Sequence, residues 1–549
     1  MNTLKLIPLG GIGDVTKNMY VYEYGNDQIV VDCGIGFPNN SALGVDLIIP
    51  DISYLEKSNK KLHGIVLTHG HMDHIGGLPY ILPRLPGVPV FGSTLTIALA
   101  EEKVREYGLT NKMQAVENHL KLGPFDIELI HVTHSIPNCK HLYIKTPGAT
   151  VYHGADYKFD LTPIDNRPAD FTSIARVGSM GVDLMLTDCV RVEVAGFTPS
   201  ERTLLTAIDT AARTTIGKFI FTTITSSISR IDMAIQAAAR YNRKVALAGR
   251  SINQNVEAAM KCGYIKIPKD VFIDIKQINR YKPNQVAIII AGSQGQEGSA
   301  MQRLAAGEHQ LLKLKAGDHV VISADAIPGT ESDVHGLLDT LYRQDIRVSY
   351  SATTPGLHVS GHGHRGDLAL LARLLKPKNI IPIGGNIRHM YTYRDLAHEM
   401  GYTRDQVLLP ENGQVIGIEN HKIKVVGRVE TKNVYVDGLG IGDVGNVVLR
   451  DRKVLAADGI LMAVVPINSE TAEVAGEVEI VSRGFVYQKE QGDLIKQTQK
   501  QVVNCLKDLK GRQVTDWNFL RRKIEDTLER YLYQETQRRP MIIAVVIEV

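Results

Sequence analysis

Short apolar runs separated by turn residues occupy the first two hundred residues of the chain. The runs at 19–24 and 28–31 flank Gly25, Asn26 and Asp27, a sequence typical of the turn in a β-hairpin. Further strand-length runs, mostly of β-branched residues or leucine, lie at 64–67, 127–130, 150–152 and 182–186. The pattern predicts a domain built largely from short strands.

A histidine or an aspartate follows most of these predicted strands. In chain order these polar positions are Asp32, the histidine-rich segment 69–74, His134, Asp156 and Asp188. Loops at the carboxyl ends of strands in a layered α/β domain converge on a ligand crevice. We therefore expect these side chains, which are far apart in sequence, to meet.

The densest cluster is T-H-G-H-M-D-H-I-G-G at residues 68–77. Imidazole and carboxylate groups are the ligands expected for zinc or manganese. His69 and His71 are two residues apart and can turn toward one cation, whereas Asp73 and His74 lie past the bend and would face a second one. The alternative is a histidine-rich surface loop, which the preceding strand and the matching downstream residues disfavour.

The rest of the chain changes its pattern twice. Between about 206 and 365, predicted strands alternate with predicted helices, which is typical of a separate parallel-sheet domain; the strands are at 218–223, 244–247, 286–291 and 319–323, and the helices at 231–240 and 334–343. Near the end, Leu520, Ile524, Leu528, Tyr531 and Leu532 have helical spacing and precede a strand-like run at 541–547. This last pattern predicts a small α/β domain.

The amino-acid composition limits the class of protein but does not identify a binding partner. The chain has 549 residues, of which 44% are hydrophobic and 22% charged, which excludes disordered, collagen-like and disulfide-scaffold proteins. The formal net charge is only +3, so any surface for nucleic acid must be local. The sequence shows neither a membrane span nor a signal-peptide core, and we expect a cytoplasmic protein with no membrane attachment.

Several motifs together resemble a known family. H-x-H-x-D-H after a strand, with V-T-H-S-I-P-N at 132–138 and H-G-A-D-Y-K-F-D at 153–160, resembles the metallo-β-lactamase fold. The segment 186–202, G-S-Q-G-Q at 292–296 and H-V-S-G-H-G at 358–363 resemble the ribonuclease J family, a β-CASP branch of nucleases. The resemblance implies an α/β protein with a metallo-β-lactamase αββα sandwich in two parts (1–205 and 366–445), an inserted β-CASP α/β domain (206–365) and a small C-terminal α/β oligomerisation domain (446–549).

The resemblance also implies roles for individual residues. One cation would be held by His69, His71, His134 and Asp156, and the other by Asp73, His74 and the shared Asp156. The cofactor implied is Zn²⁺, two ions per chain, with Mn²⁺ or Mg²⁺ as alternatives. The catalytic residues implied are His362, Asp73 and Asp188, and the substrate-binding residues implied are His358, Ser360, Gly361 and His362.

Three positions keep alternatives open. Asp32 and Asp188 are either outer carboxylates that orient a histidine or simple strand-end caps. The hydroxyl-rich segment 223–230, which ends in Arg230, is either a contact for an RNA backbone or an ordinary turn that caps the next helix.

One segment departs from the family pattern. The family carries a V-H-G-E-like motif where this chain has I-P-I-G-G-N at 381–386, so Gly384 stands at the histidine position and Asn386 at the acidic one. Glycine offers no side-chain ligand. The second cation would then have three protein ligands, borrow His389, or add water, and we expect this site to be the weaker one.

The first functional hypothesis is a metal-dependent ribonuclease of RNA decay and maturation. The resemblance implies 5′-to-3′ exonuclease action on RNA with a 5′-monophosphate, together with internal cleavage. The alternative is a weakly active or inactive paralogue that binds RNA or scaffolds a complex, and Gly384 motivates it. A hydrolase of small esters is disfavoured because such an enzyme does not need the inserted domain. The expected partners are RNA and further subunits, in a homodimer, a homotetramer or a heteromer with a paralogue.

Overall fold

A computed structural model of the chain describes residues 3–38, 42–268, 270–327, 329–468, 473–485, 491–507 and 517–549. The chain divides into two compact units, one comprising Met1–Phe37 with Ile48–Val434 and the other Pro38–Leu47 with Tyr435–Val549. Within the described residues, no helix combines the length and apolar character that a membrane span requires. Every candidate site residue named above falls within these ranges.

Two sheets form the scaffold of the first unit. One has eight strands, in the spatial order Lys422–Arg428, Gln414–Glu419, Leu4–Gly10, Met19–Tyr24, Asp27–Val31, Lys61–Val66, Val90–Gly92 and Met113–Ala115. The other has six, in the order Asn379–Ile383, Leu184–Asp188, Thr150–His153, Cys139–Lys145, Phe125–Val132 and His119–Leu122. The Tyr22 Oη atom lies 2.8 Å from His153 Nδ1, so the two sheets face each other. This arrangement agrees with the predicted two-sheet sandwich.

Helices pack on these two sheets through one apolar side each. Ile174 and Val177 are fully buried on one such helix, and Leu368, Leu371 and Leu375 are buried on another. The helices of this part are Ser53–Lys57, Met72–Ile75, Leu78–Ile81, Thr94–Arg105, Phe171–Met180, Arg365–Leu375 and Ile387–Glu399. Short 3₁₀ turns are at Leu82–Arg84, Glu201–Thr203 and Arg404–Gln406.

A wholly parallel five-stranded sheet forms the middle of the chain. Its spatial order is Lys244–Ala248, Val286–Ile290, Phe219–Thr222, His319–Ile322 and Arg347–Tyr350. The strand Val286–Ile290 is buried at every position, as expected for a parallel strand covered on both faces. The helices are Leu204–Thr214, Ile228–Arg240, Arg250–Lys261, Ala300–Ala305 and Glu331–Tyr342, with 3₁₀ turns at Ile275–Arg280 and Pro283–Gln285. The predicted βα alternation is therefore confirmed.

The second unit contains a three-stranded sheet in the order Glu479–Arg483, Ile460–Ile467 and Met541–Glu548. Leu520, Ile524, Leu528 and Leu532 of the helix Trp517–Thr536 are buried together, which confirms the predicted apolar face. The other helices are Asn446–Asp458 and Gln491–Lys507. The remaining short strands of the chain are Leu47–Pro50, Asn433–Asp437 and Gly440–Ile441.

Candidate metal centre

The histidine-rich segment turns sharply where the strand Lys61–Val66 ends. His71 has extended backbone and immediately precedes the short helix Met72–Ile75. The backbone N–H of Cys33 donates to the carbonyl oxygen of His74 at 2.7 Å, and that of Ile35 donates to Met72 at 3.1 Å. A Cβ at Gly34 would come within 1.6 Å of the carbonyl oxygen of Asp73, so only glycine permits this contact. The neighbouring loop thus fixes the helical turn.

The predicted metal ligands converge as two groups that share Asp156. In the first, ligand atoms of His69, His71, His134 and Asp156 all lie within 4.8 Å of one another. His71 Nδ1 is 3.2 Å from His69 Nε2 and 3.1 Å from His134 Nε2. Asp156 Oδ2 is 3.7 Å from His69 Nε2 and 3.8 Å from His134 Nε2. Three imidazoles and one carboxylate match the donor set of a zinc site.

The second group contains Asp73, His74 and the same Asp156. His74 Nε2 lies 3.6 Å from Asp73 Oδ2 and 3.4 Å from Asp156 Oδ2. This group offers three protein ligands, one fewer than the first. The structure therefore brings together all six residues that the sequence assigned to metal binding.

The protonation states of the three histidines in the first group suit cation binding. Burial lowers the pKa of His69 and of His134 well below its usual value and lowers the pKa of His71 to about 3, so these imidazoles are neutral donors. Burial raises the pKa of Asp73 to about 6. Burial also opposes ionisation of Asp156, but His74 and His362 outweigh it and hold the pKa of Asp156 well below its usual value. A bound divalent cation would add positive charge beside these buried carboxylates, and the donor set fits such an ion.

Two buried aspartates orient histidines toward Asp156. Asp32 Oδ2 accepts a 2.7 Å hydrogen bond from His74 Nδ1, and its other oxygen accepts from the Thr68 N–H at 2.8 Å. Asp188 Oδ2 likewise accepts from His362 Nδ1 at 2.7 Å. Because each Nδ1 carries the proton, each Nε2 is left to face the centre. The geometry favours the orienting role over a simple strand-end cap at both positions.

The loop 358–364 closes the other side of the centre. His134 Nδ1 donates to the Gly361 carbonyl oxygen at 2.7 Å, and Ser360 Oγ accepts from the His362 N–H at 3.0 Å. His362 Nε2 lies 3.9 Å from Asp156 Oδ2, and Asp156, Asp188 and His362 form a third group of clustered ligand atoms. Burial lowers the pKa of His362, but Asp188 and Asp156 outweigh it and raise that pKa to about 9.

Two other histidines stand apart from these groups. His358 Nδ1 accepts from Arg230 at 2.8 Å, and its Nε2 lies 3.5 Å from Asp325 Oδ2. His389 Nδ1 accepts from the Asn386 N–H at 3.2 Å, and its Nε2 lies 3.5 Å from Glu193 Oε2. Within the described residues, His389 belongs to none of the groups that could hold a metal ion, and its role in completing the second site stays a prediction.

Arg230 is the residue whose role the sequence missed. Its side chain is almost completely buried, and its guanidinium donates to both oxygens of Glu201, from Nε at 3.0 Å and from Nη2 at 2.8 Å. It also donates to the carbonyl oxygens of Ser323 at 3.0 Å and Val359 at 2.5 Å. Arg230 thus joins the parallel-sheet domain to the loop 358–364 and is not free to contact an RNA backbone. The hydroxyl-rich run before it gave no signal of this buried pair.

Gly384 borders the second ligand group. It follows the strand Asn379–Ile383 and has a φ of +62°, and a Cβ placed there would lie 3.6 Å from Asp156 Oδ1. A side chain at this position would therefore start at the edge of the group formed by Asp73, His74 and Asp156. The histidine of the family motif, which Gly384 replaces in this chain, would therefore have reached the second ligand group.

Gly384→His is expected to raise the number of metal ions bound per chain, because an imidazole at this position would add a ligand to the second group. Gly384→Ala is the matched control, since it carries the same backbone strain at positive φ but no ligand atom. Metal analysis after exhaustive dialysis measures the stoichiometry. An equal metal content in the histidine and alanine variants would contradict the expectation.

Four family models match successive parts of the chain. They are described as the metallo-beta-lactamase superfamily (residues 12–156), the ribonuclease J beta-CASP domain (216–341), the Zn-dependent metallo-hydrolase RNA specificity domain (346–410) and the ribonuclease J C-terminal domain (447–549).

Curated proteins match over the full length. Ribonuclease J2 of Bacillus subtilis (strain 168) is 38% identical, with 100% of this chain and 99% of that protein covered. Ribonuclease J 1 of Streptococcus pyogenes serotype M3 is 34% identical, with 100% and 98% covered. Ribonuclease J of Helicobacter pylori (strain 26695) is also 34% identical, with 98% and 79% covered.

A solved structure supports the fold. It is described as a protein of unknown function from Enterococcus faecalis V583, and it matches with a TM-score of 0.55 at 16% identity. The match covers 76% of this chain and 100% of that one. At this identity the similarity concerns the fold alone.

Proposed function

Because the chain belongs to the ribonuclease J family, we propose that it degrades RNA from the 5′ end, favouring a 5′-monophosphate, and that it also cleaves RNA internally. Membership rests on full-length relatives at 38% and 34% identity and on the four domain models. These matches confirm the predicted fold class and the class of metal-dependent nuclease. The domain borders at 205, 365 and 445, the direction of cleavage and the end preference remain predictions.

The observation that carries the proposal is the position of Asp156 between two cation-binding groups and one histidine–carboxylate pair. We propose two Zn²⁺ ions here, with Mn²⁺ or Mg²⁺ as alternatives; bound divalent cations would polarise the phosphodiester and activate water. His69, His71, His134 and Asp156 would hold one ion, and Asp73, His74 and Asp156 the other. The neutral state of the first three imidazoles supports that assignment.

His362 is the residue best placed to protonate the leaving group. Its Nδ1–H is held by Asp188 at 2.7 Å, so its Nε2 is the atom that faces the centre. When the bond between phosphorus and the 3′ oxygen breaks, the protonated Nε2 donates its proton to that oxygen. The product then has a 3′-hydroxyl, and the attacking water leaves a 5′-phosphate on the shortened RNA. Asp188 stabilises the charged imidazole through the other ring nitrogen.

The loop that carries His362 also supports a place for phosphate. Ser360 and Gly361 precede His362, and small residues of this kind are typical of loops that approach an anion closely. We propose that Ser360, Gly361 and His362 contact the substrate. His358, which is bonded to Arg230, would act at the same loop from the side of the parallel-sheet domain.

The test is an RNA hydrolysis assay on the purified protein with Mn²⁺ or Zn²⁺. One RNA carries a labelled 5′-monophosphate and its partner of the same sequence carries a 5′-triphosphate and a 3′ label. We expect the 5′-monophosphate RNA to release labelled mononucleotide early in the reaction. This release should be faster than the decay of the 5′-triphosphate RNA. His71→Ala, which removes a ligand of the first group, should abolish both reactions. Shortening from the 3′ end, or activity that is unchanged in this variant, would contradict the proposal.

Gly384 favours a second candidate function. With three protein ligands in the second group, the chain would be a weakly active or inactive paralogue that binds RNA or serves as a scaffold. RNA binding without metal-dependent cleavage in the same assay would support this candidate against the first.

We also propose that the protein acts in the cytoplasm and assembles into a homodimer, a homotetramer or a heteromer with a paralogue. The helix Asn446–Asp458 supports assembly, because none of its residues is buried and Val447, Val448 and Leu455 are exposed. The mass of the protein in solution, measured by light scattering, is expected to exceed that of one chain. A mass of one chain at micromolar concentration would contradict self-assembly.

A further inference from the structure

The segment that follows Asp188 brings an arginine to the edge of the centre. Arg191 forms a parallel bridge with His364. The N–H groups of Arg365 and Gly366 then donate to the carbonyl oxygens of Val194 at 2.9 Å and Gly196 at 2.7 Å. The segment 191–196 therefore runs beside the end of the loop that carries His362. Arg191 is also only three residues beyond Asp188, which holds His362 directly.

Among the described residues, the guanidinium of Arg191 has no ion-pair partner. Its Nε is buried without a hydrogen-bond partner, and within the described residues no carboxylate pairs with it. Glu193, the nearest acid in sequence, already lies 3.4 Å from Arg388 Nε and 3.5 Å from His389 Nε2. A partly buried cation without an anion is unfavourable unless a ligand supplies the anion.

Other arginines with a buried, unbonded Nε are compensated in another way. Arg243 donates from Nη1 to the carbonyl oxygens of Gly217 and Val286, at 2.8 and 3.2 Å, and from Nη2 to that of Thr215. Arg394 lies over the ring of Tyr391, 4.5 Å from its centroid. Arg191 has neither kind of contact among the described residues.

The charge of Arg191 acts on the histidines around His362. Burial lowers the pKa of His358, His364 and His389, and the positive charge of Arg191 adds to the lowering at each. The charge of Arg191 thus disfavours a second positive charge on these rings.

We infer that Arg191 binds a backbone phosphate of the RNA next to the scissile one, an inference that rests on the proposed function. A guanidinium can donate two parallel hydrogen bonds to phosphate oxygens, and burial of part of the side chain fixes its direction. Its backbone bridge with His364, two residues beyond His362, places the contact beside the reacting phosphate. Arg191 would thus hold the strand in register and take no part in proton transfer.

The test compares Arg191→Gln with wild type in RNA binding, measured by fluorescence anisotropy over a range of salt concentrations, and in hydrolysis. Loss of one charge-assisted contact should raise Kd and KM by about tenfold. It should change kcat by less than about threefold, because the contact is made equally before and during the reaction. The slope of log K against log salt should shrink by about 0.7, the value for one phosphate of a single strand.

Two further variants sharpen the result. Arg191→Lys keeps the charge and should restore the salt slope. Arg365→Gln is the matched control, because Arg365 lies next to His364 but its charge is already paired with Glu399 at 2.6 Å. This control should leave Kd, KM and the slope as in wild type.

Unchanged Kd and slope in Arg191→Gln would overturn the inference, and so would a loss confined to kcat. Equal changes in Kd, KM and slope in Arg365→Gln would also overturn it, because they would show that any loss of positive charge near this loop weakens RNA binding. If the wild-type protein bound RNA without cleaving it, only the nuclease proposal would be contradicted. The binding measurements on the Arg191 variants would still test whether Arg191 binds phosphate. A wild-type protein that does not bind RNA would overturn both.

Discussion

Replacing Asp156 with asparagine is expected to lower RNA hydrolysis by roughly a thousandfold or more, because divalent cations supply several kcal/mol of transition-state stabilisation. Asp156 is the residue that both cation-binding groups share, and it also lies beside His362. Asparagine has nearly the same shape but no negative charge. The variant should therefore lose the counter-charge of both sites at once while keeping the surrounding packing.

Metal content distinguishes this explanation from simple damage to the fold. The Asp156→Asn protein should bind fewer metal ions than His71→Ala, which leaves Asp73, His74 and Asp156 in place. Its circular dichroism spectrum should match that of wild type, since asparagine preserves the volume of the buried side chain. Full hydrolysis, or wild-type metal content in a folded Asp156→Asn protein, would contradict the assignment of Asp156 as the shared ligand.

The sequence located most of the centre because each ligand lies at or just after the end of a strand. The alternation of apolar runs and polar residues predicted this position at strand ends, and the prediction is confirmed for Asp32, His134, Asp156 and Asp188. The observed strand limits differ from the predicted ones by a few residues. The strand predicted at 64–67 is Lys61–Val66, and Asp188 is the last residue of its strand, whereas the prediction placed it after the strand. The loops, and not the limits of the strands, fix the positions of the ligands.

The hydrogen-bond partners of the ligands were harder to predict. The pairing of Asp32 with His74 and of Asp188 with His362 joins residues 42 and 174 positions apart. The resemblance suggested only that each aspartate orients some histidine, and the spacing along the chain carries no signal for the partner over such separations. The same holds for the missing ligand at Gly384. Its distance from Asp156 depends on how the strands Thr150–His153 and Asn379–Ile383 end on either side of the strand Leu184–Asp188.

The buried charges between the two parts of the first unit could not be predicted at all. Charged residues are usually solvated, so Lys158, Glu201 and Arg230 appear in the sequence as ordinary surface positions. In the structure all three are nearly inaccessible, and Glu201 accepts hydrogen bonds from both cations. Only the meeting of the sandwich, the parallel-sheet domain and the loop 358–364 makes such burial favourable. That packing is a property of the tertiary structure.

Glu201→Gln is expected to destabilise the protein by about 3–5 kcal/mol, the cost of leaving a buried ion pair without one partner. Glutamine keeps the shape of the side chain but leaves the guanidinium of Arg230 and the ammonium of Lys158 without their negative charge. Those two cations also donate to the carbonyl oxygens of Val359 and Ser360, so the loop that carries His362 should loosen as well. Urea denaturation followed by circular dichroism measures the free energy of unfolding.

The pH dependence of the same measurement separates the lost charge from lost packing. Burial opposes ionisation of Glu201, but Arg230 and Lys158 outweigh it and lower its pKa from 4.5 to about 2. The carboxylate therefore stabilises the folded state fully above about pH 4.5, and this contribution is lost as the pH falls toward 2. The difference between wild type and Glu201→Gln should be largest near neutral pH and should narrow below pH 4.5.

An exposed ion pair provides the contrast that makes the result specific. Arg240 pairs with Asp209 at the surface of the parallel-sheet domain. Arg240→Gln should therefore change the free energy of unfolding by less than about 1 kcal/mol. A double variant, Glu201→Gln with Lys158→Met, should recover part of the loss, because it removes one of the two cations left unpaired. If Glu201→Gln were as stable as Arg240→Gln, the carboxylate of Glu201 would not be the counter-charge on which the junction between the domains depends.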